Sequence, residues 1–166
     1  MSSSVKIAIS LALLGLALWI YRSLSPADDS RDENAFFYDL TEQKLFVVPR
    51  KSIPPIDGIH GKPMAGVRAI VVSTSGDPAD KKHQKIGYLE KYTPELKAIF
   101  EEVQRARLEG RAAEARIDRG QVPHNTLVRR LQESEWHPLD SAEGEKITSD
   151  WNVAGPDGRM PVICSP

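Results

Sequence analysis

The first apolar run of the chain, Ile7 to Tyr21, is broken only by Ser10 and carries no charge. It is apolar on every side of a helix, not along one stripe, which sets it apart from the amphipathic segments that follow. Lys6 and Arg22 bracket it, and Trp19 and Tyr21 stand at its far end. An apolar centre with interfacial aromatics and snorkelling cations predicts a membrane-anchor helix over residues 1–22. As a helix the run rises about 22 Å against a hydrocarbon core of roughly 30 Å, a gap narrowed by Val5 and by the stems of the flanking cations. Two other assignments stay open: a signal peptide cut near Ser25-Pro26-Ala27, and a buried core helix. Tyr21-Arg22 directly after the run suits anchoring better than cleavage. The flanking charges nearly balance, and the short tail ahead of the run favours a domain outside the cell membrane.

Residues 23–34 are polar and acidic, with Pro26 and no apolar period, and predict a flexible stalk. The soluble domain then occupies 35–166. Phe36-Phe37-Tyr38-Asp39-Leu40 and Leu45-Phe46-Val47-Val48 flank Thr41-Glu42-Gln43-Lys44, the pattern of a β-hairpin. After an irregular crossover rich in Pro and Gly, Val67 to Thr74 reads as a central strand buried on both faces, and Ile86 to Tyr92 as its antiparallel partner. Thr93-Pro94-Glu95 is a helix start, with a hydroxyl cap, a first-turn proline and an acid near the positive end. From there Leu96, Ile99, Phe100, Val103, Ala106, Gly110, Ala113 and Ile117 keep helical spacing and predict a helix of about 25 residues. Its second half offers only small side chains, so Gly110 and Ala113 are candidates for a partner face. Asn125 or Thr126 is expected to cap a shorter helix carrying Leu127, Val128 and Leu131. A helical turn within Ser141 to Trp151 and a last strand within Arg159 to Cys164 complete the pattern.

Charge adds little to this picture: 22 basic residues face 23 acidic ones, which argues against a protein built mainly to hold nucleic acid. Cys164 is the single cysteine, so an intrachain disulfide or a multi-thiolate metal site is excluded.

The candidate chemistry is thin. Phe36, Phe37, Tyr38 and Phe46 form an aromatic hairpin that either caps a core or lines a groove for a peptide or glycan. Asp39 beside the turn is placed to accept backbone N–H bonds, and a catalytic acid there would need a second carboxylate. His60, His83, His124 and His137, with Cys164, lack any metal-ligand spacing. Lys81 and Lys82, in the basic stretch Asp80 to Lys85, read as a solvated loop tip or as a contact for a phosphate or an anionic headgroup. Neither a nucleophile-elbow motif nor a glycine-rich phosphate loop occurs.

Phe37-Tyr38-Asp39-Leu40, Leu45 to Pro49, Ile53-Pro54-Pro55-Ile56, Gly66-Val67-Arg68-Ala69 and Ile86 to Glu95, in this order, give the chain a family likeness. It resembles a group of small bacterial single-pass membrane-anchored proteins of unassigned function, over about residues 36–96 and more loosely toward the end. The resemblance implies a bacterial origin and a membrane location, and a second cysteine in many relatives at the position of Ala154, which would leave Cys164 here without its partner. It supplies no activity.

The expectation is an α+β fold: an N-terminal transmembrane helix, then a small antiparallel sheet of about three to five strands packed with one long helix. The expected role is a membrane-anchored, non-enzymatic interaction or accessory module of the cell envelope, without a cofactor. Its expected partners are the lipid bilayer and another envelope protein, not nucleic acid. The alternative is a small membrane-bound hydrolase with a metal or carboxylate site assembled from Asp39, Glu90 and the histidines.

Overall fold

The aromatic and β-branched runs around Thr41-Glu42-Gln43 pair as a hairpin, β1 (Asn34–Asp39) with β2 (Lys44–Pro49), in a register that sets Phe37 opposite Phe46 and Tyr38 opposite Leu45. The computed structural model describes residues 33–155 and 157–166, which belong to one unit, Arg31–Pro166. The remaining strands are β3 (Gly66–Ser73), β4 (Gln84–Tyr92), β5 (Thr126–Arg129), β6 (His137–Pro138) and β7 (Val162–Ile163). Together they make a seven-stranded antiparallel sheet in the order β2-β1-β3-β4-β5-β6. β7 pairs with Val72 and Ser73 of β3, beyond the point where β1 leaves that strand at Arg68. The helices are short: α1 (Pro94–Leu108), α2 (Val122–Asn125) and α3 (Ala142–Ser149), with a 3₁₀ turn at Lys81–His83.

β3 is the central strand that its apolar run predicts. The alternation of the pleat sends Val67, Ala69 and Val71 to one face, where they meet Leu89 and Cys164 in the core. Phe36, Tyr38, Leu40 and Ile86 pack around that cluster, and Leu131 and Trp136, from the β5–β6 connection, close over it. The second face carries Phe37, Arg68, Val72, Glu90, Tyr92 and Val128, and both longer helices cover it. Phe100 of α1 stacks edge-on against Tyr92 at 4.9 Å, while Glu143 and Asp150 at the two ends of α3 hold Arg130 at 2.8 and 2.5 Å. Gly87 is the extra residue of a β-bulge where the β3–β4 register shifts between Ile70 and Val71. A Cβ there would press on Trp151 at 3.3 Å.

Four expectations are corrected. First, the sheet has seven strands, more than expected, because Thr126 to Arg129 adds a strand beside β4 where a second helix was expected, and His137–Pro138 adds another beside it. The run Thr-Leu-Val-Arg buries Thr126 and Val128 and half-exposes Leu127 and Arg129, which is the period of a strand. Second, the long helix is 15 residues. Thr93 caps it as predicted, its hydroxyl accepting the Leu96 N–H at 3.4 Å. Gly110 ends it: at φ 68° it takes the left-handed position after the C-cap. Its N–H donates to Arg107 O, and the Arg111 N–H reaches back to Ala106 O at 3.0 Å. That pair of bonds is a Schellman stop.

Third, the small-residue helical face does not form. Gly110 and Ala113 lie past the helix, and Ala106, the first of the small residues, is buried. Fourth, no helix among the described residues is long and apolar enough to cross a membrane. α1, the longest of them, spans about 22 Å and carries Glu95, Lys97, Glu101, Glu102, Arg105 and Arg107. The single-pass, membrane-localised topology expected from the sequence is therefore not what the described fold contains. The segment on which it rested, with Lys6, Trp19, Tyr21 and Arg22, lies outside the described residues.

Candidate functional site

The aromatic hairpin divides between two jobs because alternate residues of a strand face opposite ways. Phe37 is fully buried on the helix-covered face, 6.1 Å from Phe46, with the Arg68 guanidinium 5.9 Å from its ring centre. Phe36 and Tyr38 pack on the other face against the central cluster. The four aromatics are therefore mostly core, not the lining of one groove. Phe46 is the exception, half-exposed on the outermost strand.

The peptide groups of that strand can be traced from the middle of the sheet outward. Leu40 N–H donates to Ala65 O at 2.9 Å and Cys164 N–H to Val71 O at 2.8 Å, so odd-numbered residues around β3 turn their backbone groups toward the β1 and β7 side. Val67 thus bonds Tyr38, its register partner. Phe37 and Asp39 must then face β2, as the Gln43 N–H to Asp39 O bond at 2.8 Å confirms for Asp39. Their partners Phe46 and Lys44 point inward. Leu45 and Val47 consequently direct their N–H and C=O groups out of the sheet, and their side chains are 43% and 49% exposed. β2 is the end strand of the sheet order. Among the described residues this is an open edge with apolar side chains on it.

Where β1 diverges from β3 and β7 runs in to pair with Val72 lies a cleft of about 350 Å³. Phe36, Ala69, Val71, Arg68 and Cys164 help to line it. The Cys164 thiol is buried, and desolvation pushes its pKa up, the opposite of what a nucleophile needs.

Asp39 is 1% exposed, and its carboxylate is fully engaged. Oδ1 accepts Thr41 and Glu42 N–H at 2.8 and 3.0 Å, and Oδ2 accepts Ile59 N–H at 2.7 Å. These bonds, the one from Glu42 foremost, hold its pKa below the usual carboxylate value, with a smaller electrostatic contribution from His60. Gly58 makes room: a Cβ there would sit 2.3 Å from Oδ2. A carboxylate capped by three amides in a turn serves structure, not proton transfer.

Glu90 lies on the helix-covered face, 3.5 Å from Arg68, and burial raises its pKa despite that partner. Burial likewise pushes the neighbouring Tyr88 up to about 12. Arg68 also donates to Ser52 O at 3.2 Å, so it ties the crossover loop to the sheet. His83 pairs with Asp80 at 2.7 Å and His124 with Asp140 at 3.5 Å. Among the described residues no three His, Cys, Asp or Glu side chains converge to hold a metal. Lys81 and Lys82 stand exposed on the 3₁₀ turn, which Asp80 caps by accepting the Lys82 N–H at 3.2 Å.

One arrangement escapes sequence reasoning entirely. Trp136 is flanked by Lys91 Nζ at 4.4 Å and by the Arg129 guanidinium at 4.9 Å from its ring centre. Burial, followed by repulsion from Arg129, lowers the Lys91 pKa. Register places both cations on the same face of the paired strands β4 and β5, a signal invisible until Thr126–Arg129 is recognised as a strand. Arg129 also donates to Glu133 O, which holds the β5–β6 connection over the core.

No family model matches the chain, and neither a curated protein nor a solved structure shows significant similarity to it.

Proposed function

We propose that this chain is a non-enzymatic protein–protein interaction module that docks an extended segment of its partner on the open edge of β2. The observation that carries this reading is the coincidence, at Leu45 and Val47, of outward backbone hydrogen-bonding groups and exposed apolar side chains. Sheet proteins usually blunt such an edge with charge, proline or a bulge, because it templates pairing with another chain. Here Lys44 and Pro49 guard the two ends of the strand, and the stretch between them is left open. Strand addition would satisfy the Leu45 and Val47 amides and cover their side chains in one step.

A photo-crosslinking amino acid placed at Leu45 tests this in the full chain expressed in cells. The reading predicts discrete crosslinked products from position 45. None should form from Leu108, which is more exposed than Leu45 but lies at the end of α1. Equal crosslinking from both sites, or none from Leu45, would overturn it.

A further inference from the structure

We infer that the segment paired with β2 is β2 of a second copy of this chain, joined antiparallel about a twofold axis at Phe46. The inference rests on the interaction-module reading and names the partner of that same edge. Only Leu45 and Val47 offer both an outward N–H and an outward C=O; Pro49, the next residue of that parity, has no N–H. Self-pairing that uses both residues fully has one register: Leu45 opposite Val47 of the second copy, and Val47 opposite its Leu45. Centring on Leu45 would set Val47 against Gln43, a turn residue at φ 53° outside the strand. Centring on Val47 would set Leu45 against Pro49 and forfeit a bond, and would bring Lys44 opposite Arg50.

The remaining residues suit the favoured register. Directly opposed residues of an antiparallel pair share a face, so the two Leu45 and two Val47 side chains come together as one apolar patch. On the other face Phe46 meets Phe46 in a non-hydrogen-bonded pair, where side chains approach most closely. Each Phe46 already contacts Phe37, so an aromatic ladder would run through both sheets. A net charge of −1 offers little repulsion between copies. Two seven-stranded sheets would thereby become one continuous sheet.

The register makes the test specific. Opposed residues of a hydrogen-bonded antiparallel pair have Cα atoms about 5.5 Å apart, inside the disulfide range of about 4.4–6.8 Å. The two copies of position 45 would be roughly 9 Å apart, about 5.5 Å across and two steps of about 3.4 Å along the strand, which is too far to bridge. Leu45→Cys and Val47→Cys are therefore prepared separately as full chains, each with Cys164 retained in its buried position. Under mild oxidation each variant alone should run as a single chain on a non-reducing gel, and an equimolar mixture should give a band of twice the mass. Adding Val47→Pro to the Leu45→Cys chain should abolish that band, and Val47→Lys serves in its place if the proline variant loses its native circular dichroism. A mixture that does not cross-link overturns the inference, as does equal cross-linking of either variant alone. If the photo-crosslink from Leu45 reaches a different protein while the cysteine mixture stays unlinked, the second-copy inference fails and the module reading survives. If Leu45 crosslinks to nothing, both fail.

Discussion

Asp39 and Glu90 are both largely buried carboxylates, and the surroundings move them in opposite directions. Asp39 has three backbone donors and a lowered pKa, so its ionised form favours the fold. That stabilisation is present above its unfolded value near 3.8 and is lost as pH falls through the lower folded value. Glu90 has one partner and a raised pKa, so the fold holds a proton there that the unfolded chain releases near 4.5. Stability from Glu90 therefore declines as pH rises from 4.5 to its raised folded value. Thermal melts across pH 2–7 should show Asp39→Asn losing Tm most at neutral pH, and little against the native chain at the acid end. Glu90→Gln should instead abolish the decline above pH 4.5. Gly58→Ala should mimic Asp39→Asn, since its Cβ would displace the Asp39 carboxylate.

At the scale of elements, the legible parts of the sequence were those whose local chemistry is self-sufficient. The β1–β2 hairpin, the doubly buried β3 with its partner β4, and the Thr93 cap all carry their own signals and form where expected. The end of α1 was hidden by coincidence: Ala106, Gly110 and Ala113 keep helical spacing, yet the left-handed Gly110 stops the helix between them. Gly110→Ala should cost about 1–2 kcal/mol by forcing a Cβ into that conformation, whereas Leu108→Glu, on a fully open position, should stay within roughly 0.5 kcal/mol. Thr126 to Arg129 does not declare its state, because a four-residue run is too short to distinguish a strand from a helix by period alone. The open edge was illegible for another reason. Leu45 to Pro49 has no polar residue to mark an outward face, so its exposure depends on β2 being the last strand, which is set by the order of the whole sheet. Phe37→Ala, which empties the buried junction between the hairpin and β3, should cost about 3–5 kcal/mol in chemical denaturation.

At the scale of the molecule, β2 is the longer of the two end strands, and among the described residues its outer edge is open. α1 and α3 cover one face, Trp136 and Leu131 close over the other, and β7 fills part of the edge that β1 leaves on β3. The claim that this open strand is where the molecule meets its partner, a second copy, is tested most directly by residue-resolved amide hydrogen exchange over a dilution series of the full chain. Phe46 and Val48 amides, bonded to β1, should be protected at every concentration. Leu45 and Val47 amides should exchange as exposed groups in dilute solution and become protected together as concentration rises. Protection of all four amides at the lowest concentration, or Leu45 and Val47 amides that remain open at every concentration, would contradict it.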